Sequence, residues 1–429
     1  MTVRNRLGVV VTMWAVTASV AASARAESAA AELPAGERWP VHRGPTADGH
    51  SVAKGLPLTW STTENVAWQT VIHDRGWSSP VVWGEQVWVT TATEDGRRLF
   101  AVALDCDSGK IVHDLEVFDV AKPEQIAKVN SYASPTSVIE AGRVYVHYGT
   151  YGTACIDTKT GKILWEQRDL KCDHQVGPGS SPILFDNLLI FHVDGRDVQY
   201  VVALNKLTGK PVWKTDRSID YSEVTPNLRK GFCMPTVIRV GDRLEMISPG
   251  AKGVMAYDPK TGKELWKVRY DGWSMVARPL FDHGLVFIIT DYERPELWAI
   301  RPGGEGDVTD SRVAWKFRRG MPATPSLLLI DELLHMVNDN GIASCVEAKT
   351  GKVVYQERMG GGYAASPIYA DGRLYFFSRE GTTTVLAPGR AYKVLAVNKL
   401  DEQLMASPAV AHDALFIRTK TRLYRVEEQ

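Results

Sequence analysis

The sequence predicts an all-β protein, folded as an eight-bladed β-propeller of four-stranded antiparallel blades, and three observations carry this prediction. A turn of the form Asp-x-x-Thr-Gly-Lys recurs between apolar strands, a proline opens an apolar strand eight times, and these prolines follow at similar intervals. Pro80 to Pro135 is the longest interval, 55 residues, and Pro367 to Pro408 is the shortest, 41 residues. Several short strands per repeat at a period near about 45 residues indicate a propeller, and eight starts indicate eight blades.

Residues 155–165 show the repeated unit most clearly, as a strand, a tight turn and a second strand. Asp157 can accept a hydrogen bond from the backbone two residues on, and Gly161 supplies the positive φ that a short hairpin loop requires. Trp165 then places a large aromatic on one face of the returning strand. Further copies of the turn lead to the ring-bearing residues His113, Trp213, Trp266 and Tyr355.

The first 26 residues have the pattern of a secretory signal peptide. An apolar run from Leu7 to Val20 follows two arginines, and Ala24-Arg25-Ala26 is a small-x-small cleavage pattern. We therefore expect cleavage near Ala26, a periplasmic or secreted location, and no membrane span in the mature chain. An uncleaved anchor is the alternative, which the interruptions at Thr12 and Thr17 disfavour. No cysteine lies near the cleavage site, so lipid attachment is not expected there.

The two ends of the predicted ring should complete each other. Residues 27–57 are predicted to form an extended strap lying on the ring, and residues 58–429 to form the propeller. The eighth repeat ends after its third strand, at Val426, whereas Val66 to Gln69 matches the aromatic-bearing fourth strand. An unpaired strand edge is costly and prone to association, so Val66 to Gln69 should pair with Leu423 to Arg425 and close the ring.

Composition and cysteine content narrow the functional classes. The chain of 429 residues is 44% hydrophobic and carries 50 basic and 50 acidic residues. This balance gives no electrostatic reason to expect nucleic acid or anionic membrane as a partner. Of the five cysteines, Cys155 and Cys345 occupy a small-residue position of the repeat and are interpreted as core thiols. Cys172 and Cys233 lie between blades, and whether they form a disulfide stays open.

The pattern from Tyr257 to Trp266 resembles the PQQ-like repeat, which builds the quinoprotein dehydrogenases and the propeller subunit of the outer-membrane protein assembly machinery. The resemblance extends from about Trp39 to Val426. It implies that the repeat aromatics dock between neighbouring blades and bind no cofactor. The opening Trp39-Pro40 with Arg43-Gly44-Pro45, and the lengthened loop from Gly303 to Asp310, resemble PQQ-like propellers of planctomycete-type bacteria, whose role is undefined.

The same resemblance raises the question of a cofactor. A quinoprotein dehydrogenase holds calcium with side-chain oxygens against the quinone, uses an adjacent Asp as base, and in many members has two neighbouring cysteines. No two cysteines are adjacent here, and no stretch matches the family's calcium and base positions. Motifs of metalloproteases, serine hydrolases and phosphate-binding loops are missing too. We therefore predict no cofactor, metal or catalytic residue, with PQQ and Ca²⁺ as the alternative.

The remaining candidate site is one face of the ring, which we call the funnel face. In a propeller, the connections into each innermost strand and the loops between second and third strands share this face. Aromatics interleaved with both signs of charge there suit a peptide, a glycan or a small ligand. The alternative is that the aromatics pack the inner rim and the charges are merely solvated. The predicted ligand-binding residues are Trp77, Tyr132, His174, Asp194, Phe232, Trp273, Arg278, Asp291, Tyr363 and Arg379, with Trp77 and Trp273 as the anchors.

Taken together, the sequence predicts an exported, monomeric and non-catalytic propeller that acts as a binding or scaffold module at the cell envelope. Its partner would be a protein or a small ligand. The alternative is a PQQ-dependent dehydrogenase or another envelope enzyme, since a fold alone does not fix a function.

Overall fold

The computed structural model describes residues 33–429, of which Pro34–Gln429 form one compact unit. Eight antiparallel sheets of four strands make up this unit, and two of them carry a fifth strand. The predicted all-β, eight-bladed propeller is therefore confirmed. The predicted signal peptide, residues 1–26, lies outside the described residues.

Each blade uses four strands, and its first strand is innermost in the ring. The strands preceding the first blade are β1 (Arg38–Trp39) and β2 (Val66–Val71). Blade 1 contains β3 (Val81–Trp83), β4 (Gln86–Ala92), β5 (Arg98–Asp105) and β6 (Ile111–Asp119), and blade 2 contains β7 (Val138–Glu140), β8 (Arg143–His147), β9 (Thr153–Asp157) and β10 (Ile163–Gln167). Blade 3 contains β11 (Ile183–Phe185), β12 (Leu188–Asp194), β13 (Gln199–Asn205) and β14 (Pro211–Asp216), and blade 4 contains β15 (Thr236–Val240), β16 (Arg243–Gly250), β17 (Gly253–Tyr257) and β18 (Glu264–Arg269).

Blades 5 to 8 follow the same plan, and β2 completes the last one. Blade 5 contains β19 (Leu280–Asp282), β20 (Leu285–Ile289), β21 (Leu297–Ile300) and β23 (Val313–Phe317), and blade 6 contains β24 (Leu328–Ile330), β25 (Leu333–Val337), β26 (Ile342–Glu347) and β27 (Val353–Arg358). Blade 7 contains β28 (Ile368–Ala370), β29 (Arg373–Phe377), β30 (Thr382–Leu386) and β31 (Val394–Lys399), and blade 8 contains β32 (Ala409–Ala411), β33 (Ala414–Arg418), β34 (Arg422–Val426) and β2. Strand β22 (Gly306–Asp307) is an addition to blade 4. Helices are short: α1 (Thr309–Arg312) and 3-10 turns at Ala35–Glu37, Gly149–Tyr151 and Pro226–Leu228.

Burial follows the position of a strand in its blade. The middle strands β4 and β5 are buried over almost their whole length, because both of their faces pack against neighbouring blades. An outer strand such as β14 alternates between exposed and half-buried residues. The apolar cores therefore lie between blades, and one of them joins Trp88 of blade 1 to Val144 and Ile156 of blade 2.

Strand β2 closes the ring as predicted. It pairs antiparallel with β34, with Gln69 opposite Tyr424 and Trp68 opposite Arg425. The Trp68 indole donates to the carbonyl oxygen of Cys106, 2.8 Å away on the next blade. Backbone pairing thus places β2 in the last blade, and the Trp68 side chain links that blade to the first.

The repeated turn explains why its glycine is required. In blade 3, Gly209 has a φ of +69°, and a Cβ added there would lie 2.4 Å from the Trp165 ring of blade 2. The Trp165 indole donates to the carbonyl of Lys206 at 2.9 Å. Only a residue without a side chain allows both the left-handed backbone and this stacking. The docking of repeat aromatics between blades, implied by the family resemblance, is confirmed here.

Blade 5 lacks this turn and uses its lengthened loop instead. Strand β22 in that loop pairs in parallel with β18, the outer strand of blade 4. Gly303 donates its backbone N–H to Glu245, which also accepts a bond from the Trp266 indole at 2.7 Å. Trp266 is fully buried as a result, so the loop has a structural role between two blades.

Residues 38–51, which we call the axial segment, enter the centre of the ring. Trp39 pairs with Val82 on the innermost strand of blade 1. The Arg43 guanidinium donates to the carbonyl oxygens of Leu327 (2.6 Å) and Pro367 (2.9 Å), in blades 6 and 7, and also to the carbonyl of Asp48. The buried Arg43 side chain thereby links two neighbouring blades on the far side of the ring from Val82, so the segment is part of the propeller's interior.

All five cysteines are free and buried. Cys155 and Cys345 have no exposed surface, which confirms them as core thiols. Cys172 and Cys233 do not form a disulfide, which settles the alternative that the sequence left open. Within residues 33–429, no helix has the length and apolar character of a membrane span.

Candidate funnel-face site

The funnel face carries the connections between blades and the loops between each blade's second and third strands. Of the ten predicted ligand-binding residues, six are buried: Trp77, Tyr132, His174, Asp194, Arg278 and Tyr363. The other four are half-buried: Phe232, Trp273, Asp291 and Arg379. The predicted set therefore divides into residues that support the face from beneath and residues that reach its surface.

Trp77 belongs to the supporting group. Only 7% of it is exposed, and its indole donates to the Val129 carbonyl at 3.1 Å. Arg75 covers its ring, with 5.5 Å from the guanidinium carbon to the ring centroid. The ring is thus in use within the protein, and the expectation that Trp77 anchors a partner is corrected. The preceding Gly76 is needed because a Cβ there would lie 2.3 Å from the Thr90 carbonyl oxygen.

His174 lies in a buried pair with Cys172. The backbone N–H of Thr150 donates to His174 Nε2 at 3.1 Å, so this nitrogen is an acceptor. Burial lowers the pKa of His174 to about 4 and raises the pKa of the Cys172 thiol. Both groups are therefore neutral near pH 7, and the thiol lacks the thiolate character of a nucleophile.

Asp194 forms an internal ion pair. Its two carboxylate oxygens accept bonds from Arg217 at 2.7 and 2.6 Å, and both side chains are fully buried. Burial works to lower the pKa of Arg217, but Asp194 outweighs it and raises that pKa. Ser248 accepts a further bond from Arg217 and bonds His192 at 2.8 Å. This cluster fixes the loops of blades 3 and 4 and offers no free charge to a ligand.

Tyr363 and Arg379 belong to the loops at blades 6 and 7. Tyr363 is 1% exposed and donates its backbone N–H to the carbonyl of Asp339. Arg379 approaches the Asp339 carboxylate at 3.7 Å. That carboxylate also accepts the N–H of Ala323 at 2.7 Å, so Asp339 organises the loops around it. Tyr132, buried on the opposite side of the ring, donates its hydroxyl to the Glu124 carbonyl.

The half-buried Trp273 lies beside an exposed residue that the sequence did not single out, Tyr292. The Tyr292 side chain is 45% exposed, and its backbone N–H donates to the Trp273 carbonyl at 3.1 Å. Lys230 lies 5.3 Å from the Trp273 ring centroid. Asp291 accepts the N–H groups of Glu293 and Arg294, which fixes the loop that presents Tyr292. The sequence signal that could have identified Tyr292 is that this tyrosine lies outside the repeat register.

Two open clefts lie between neighbouring blades on the same face. The larger, about 490 Å³, is lined by Arg294, Pro295, Glu296, Arg318, Gly320, Met321, Asn338 and Asn340. The smaller, about 400 Å³, lies at the start of blade 1 and is lined in part by Arg75, Glu94, Gln125, Lys128 and Tyr132. Arg294, which lines the larger cleft, is two positions along the same loop from Tyr292.

A ring of hydroxyl side chains surrounds the axis where the innermost strands begin. Six blades place Ser or Thr two residues before the innermost strand, whereas blade 4 places Met234 and blade 5 places Arg278; the hydroxyl residues are Ser79, Thr136, Ser181, Ser326, Ser366 and Ser407. Backbone N–H groups donate to the hydroxyl of the next blade, as from Thr136 to Ser181 at 2.9 Å and from Ser326 to Ser366 at 3.0 Å. This ring joins consecutive blades around the axis.

Arg278 interrupts the ring and meets the axial segment. Its guanidinium donates to the His42 carbonyl at 2.7 Å and to the Thr236 hydroxyl at 3.1 Å. Burial lowers the pKa of Arg278 to about 10 and that of Arg43 to about 9, so both stay cationic at pH 7. Asp48 is the acidic residue whose charge acts on both guanidinium groups, and one negative charge faces two positive ones. The axis is consequently cationic.

The positive charge and the ligand types at the axis are unfavourable for a metal ion bound to a quinone. A calcium ion requires several carboxylate or carbonyl oxygens, whereas the axial groups are two guanidinium ions and hydroxyls that already accept N–H bonds. In the described part of the chain, no group of three or more His, Cys, Asp or Glu side chains is arranged to hold a metal. The residues present at the axis do not fit a metal–quinone pair.

Comparison with known proteins agrees with the repeat pattern. A family model described as "Outer membrane protein assembly factor BamB" matches residues 197–429, more than half of the chain. The chain belongs to the PQQ-like repeat β-propeller family. Its similar solved structures include BamB from Moraxella catarrhalis and a europium-containing methanol dehydrogenase. For BamB the TM-score is 0.56, with 11% identity over 84% of this chain and 99% of that chain. For the methanol dehydrogenase it is 0.65, with 13% identity over 90% of both chains.

Curated relatives of this PQQ-like propeller include quinoprotein ethanol dehydrogenases of Pseudomonas putida and Pseudomonas aeruginosa. They are 31% identical over 145 residues and 30% identical over 148 residues. Each match covers 30% of this chain and 22% of the relative, so the aligned part spans about a fifth of those enzymes. The solved structures, at 13% identity or less, show the fold alone.

Proposed function

We propose that this PQQ-like propeller is an exported, non-catalytic binding module at the cell envelope, which engages a protein or a small ligand through its funnel face. The observation that carries the proposal is the half-buried Trp273 beside the exposed Tyr292, whose loops are joined by a backbone hydrogen bond. Large aromatics on rigid loops bind partners at low entropic cost. Phe232, Asp291 and Arg379 are the predicted site residues that accompany them at the surface.

Envelope location rests on two further supports. The sequence pattern of residues 1–26 is that of an export signal. The matching family model is named after an outer membrane protein assembly factor, which favours a protein partner in the same compartment. We propose a monomer without a nucleic-acid partner, in keeping with the balanced charge.

The experiment is a capture assay with the mature protein and envelope extract. Trp273→Ala with Tyr292→Ala should weaken capture of the retained partner by at least about thirtyfold, because one central aromatic often contributes about 2 kcal/mol in an interface. Val212→Ala, on the exposed outer face of blade 3, is the matched control. Equal capture by the double variant and the control would remove the funnel face from the proposal.

A PQQ-dependent dehydrogenase is the second candidate, favoured by the 31% identity to a quinoprotein ethanol dehydrogenase. Because the described residues offer no group of carboxylates to hold Ca²⁺ against a quinone, we expect purified protein mixed with PQQ and Ca²⁺ to show no bound-quinone spectrum and no dye-linked oxidation of alcohols or sugars. Stoichiometric quinone binding with alcohol oxidation would replace the binding-module proposal by this one.

A further inference from the structure

The outer strand of blade 7, β31, presents apolar side chains at the free edge of its sheet. It is the last strand of that sheet, and Val394, Leu395 and Val397 are 44%, 36% and 63% exposed. No other large apolar side chain on a described strand is as exposed as Val397. We call β31 and these side chains the blade 7 edge. A free edge of this kind is a template for pairing with a further strand.

The other blades carry polar side chains where blade 7 carries Val397. Ala396 lies opposite Val385 on the third strand, as Trp165 lies opposite Cys155 in blade 2, so Val397 takes the position just after the repeat aromatic. Charged side chains on an outer strand protect a sheet edge from association. Blade 7 lacks this protection, whereas the other seven blades have a charged or amide side chain at that position: Gln69, Asp114, Glu166, Lys214, Lys267, Lys316 and Gln356.

Packing inside the protein accounts for Ala396 but not for Val397. The third and fourth strands of blade 8, β34 and β2, come from opposite ends of the chain, so no turn joins them to receive an aromatic from blade 7. Ala396 instead packs against a core that contains Trp60 and Tyr375. Val397 stays 63% exposed beside this core, so its apolar side chain has no internal use.

Blade 4 shows what the edge of a blade in this protein accepts. Its outer strand β18 carries the added strand β22, which runs parallel to it and places Asp307 opposite Lys267. Arg269 of β18 donates to the Asp307 carboxylate at 2.7 Å. The added strand thus brings an acidic side chain to a basic edge.

The blade 7 edge has the same basic character. Lys399 lies three positions after the position of the repeat aromatic, as Arg269 does in blade 4, and its ammonium donates to the carbonyl oxygen of Glu380. Residues 387–399 contain three basic residues and no acidic residue. In the described part of the chain, only Arg390 of these three comes within ion-pair distance of a carboxylate, at 2.7 Å. An incoming strand with an acidic residue therefore fits this edge.

We propose that the blade 7 edge binds an extended segment of a partner protein, which adds a fifth strand parallel to β31 as β22 does on β18. Apolar side chains of the segment pack on Leu395 and Val397, and an acidic residue pairs with Lys399. The ligand is a polypeptide because the free edge of a strand offers backbone N–H and C=O groups in the spacing of another strand. This surface is separate from the funnel face and adds a second contact to the proposed binding module.

The test is fluorescence anisotropy of labelled ten-residue peptides mixed with the mature protein. In the first peptide valine alternates with threonine and an aspartate lies near each end; the second has lysines in place of the aspartates, and the third has N-methyl groups on its four central backbone amides. The first should bind with a Kd below about 1 mM. The second should bind about fivefold more weakly, and the third at least about tenfold more weakly.

Val397→Lys should weaken binding of the first peptide about tenfold, because it replaces an apolar contact by a charge that protects the edge. Blades 3, 4 and 5 already carry lysine at this position, so the substitution is compatible with the fold. Val71→Lys is the matched control, because Val71 is 59% exposed on the outer strand of blade 8. It should leave the affinity unchanged.

The assignment is overturned if the first peptide shows no saturable binding at about 1 mM, or if the N-methylated peptide binds as well as the first. Equal affinities of the Val397→Lys and Val71→Lys variants would also reject the blade 7 edge as the site. Analytical ultracentrifugation of the protein without peptide checks the remaining occupant. A dimer that Val397→Lys abolishes would assign this edge to a second copy of the chain and overturn the partner-protein proposal.

Discussion

Replacing Gly209 by Ala tests how the blades are held together, since this glycine lies under the Trp165 indole. The added Cβ would sit 2.4 Å from the ring, so the indole must move and its 2.9 Å bond to Lys206 must lengthen or break. Overpacking typically costs about 1 to 3 kcal/mol and a lost hydrogen bond about 1 kcal/mol. The left-handed backbone adds about 1 kcal/mol for any residue with a side chain.

Gly142 provides the matched control. Its φ of +76° is close to the +69° of Gly209, but an added Cβ there meets no atom within 4 Å. Gly142→Ala should therefore lower the free energy of unfolding by the backbone cost alone, and Gly209→Ala should lower it by about 2 to 4 kcal/mol more. Urea unfolding followed by tryptophan fluorescence gives both values.

A double-substitution cycle completes this test. In a Trp165→Ala background the clash partner is gone, so the cost of Gly209→Ala should fall to that of Gly142→Ala. Equal costs for the two glycine variants in the otherwise unchanged protein, or no coupling to Trp165, would refute the docking of repeat aromatics as a source of stability.

Further predictions concern the axial segment, pH and ring closure. Arg43→Met should destabilise the protein by about 3 kcal/mol or more, because buried carbonyls in blades 6 and 7 lose a charged donor; Lys54→Met on the exposed side should change little in the same urea titration. Burial lowers the pKa of His147 to about 3 and of His335 to about 4, so both stay neutral when folded. As pH falls from about 6.5 to 5, the unfolded chain takes up these protons first, and stability should fall by about 1.4 kcal/mol per pH unit for each histidine; a flat profile over this range contradicts the assignment. A chain that begins at residue 72 lacks β2 and should lose cooperative thermal unfolding, whereas an unchanged melting curve would show that β2 is dispensable.

Local patterns in the sequence were sufficient to predict the blades and the contacts of the repeat aromatics between them. Gly161 and Trp165 fall in a repeated register, and the structure uses both as that register predicts. Ring closure was predictable as well, because Val66 to Gln69 had no other repeat to join.

Contacts around the axis were not readable in this way. Arg43 bonds residues that are 284 and 324 positions away, and no local pattern carries such a distance. The hydroxyl ring was hidden by the prolines used as landmarks, since Ser79 precedes its proline whereas Thr136 follows its own. Alignment on the prolines therefore places Thr136 and Ser326 two residues away from the other ring positions.

The funnel face was predicted as a region but not in its surface detail. Trp77 and Trp273 each follow a glycine, yet Trp77 is 7% exposed while Trp273 is half-buried beside Tyr292. The difference arises from the loop carrying Val129, whose carbonyl accepts the Trp77 indole. Which of two similar aromatics remains accessible depends on such long-range packing.

The most direct test of the binding-module account is site-specific photocrosslinking in envelope extract. A photoreactive phenylalanine analogue replaces Tyr292 on the funnel face, and in a matched control it replaces Val212, which is 53% exposed on the outer strand of blade 3. The account predicts a discrete adduct from position 292 that Trp273→Ala abolishes, and none from position 212. Adducts of equal yield from both positions, or from position 212 alone, would contradict a binding role for the funnel face.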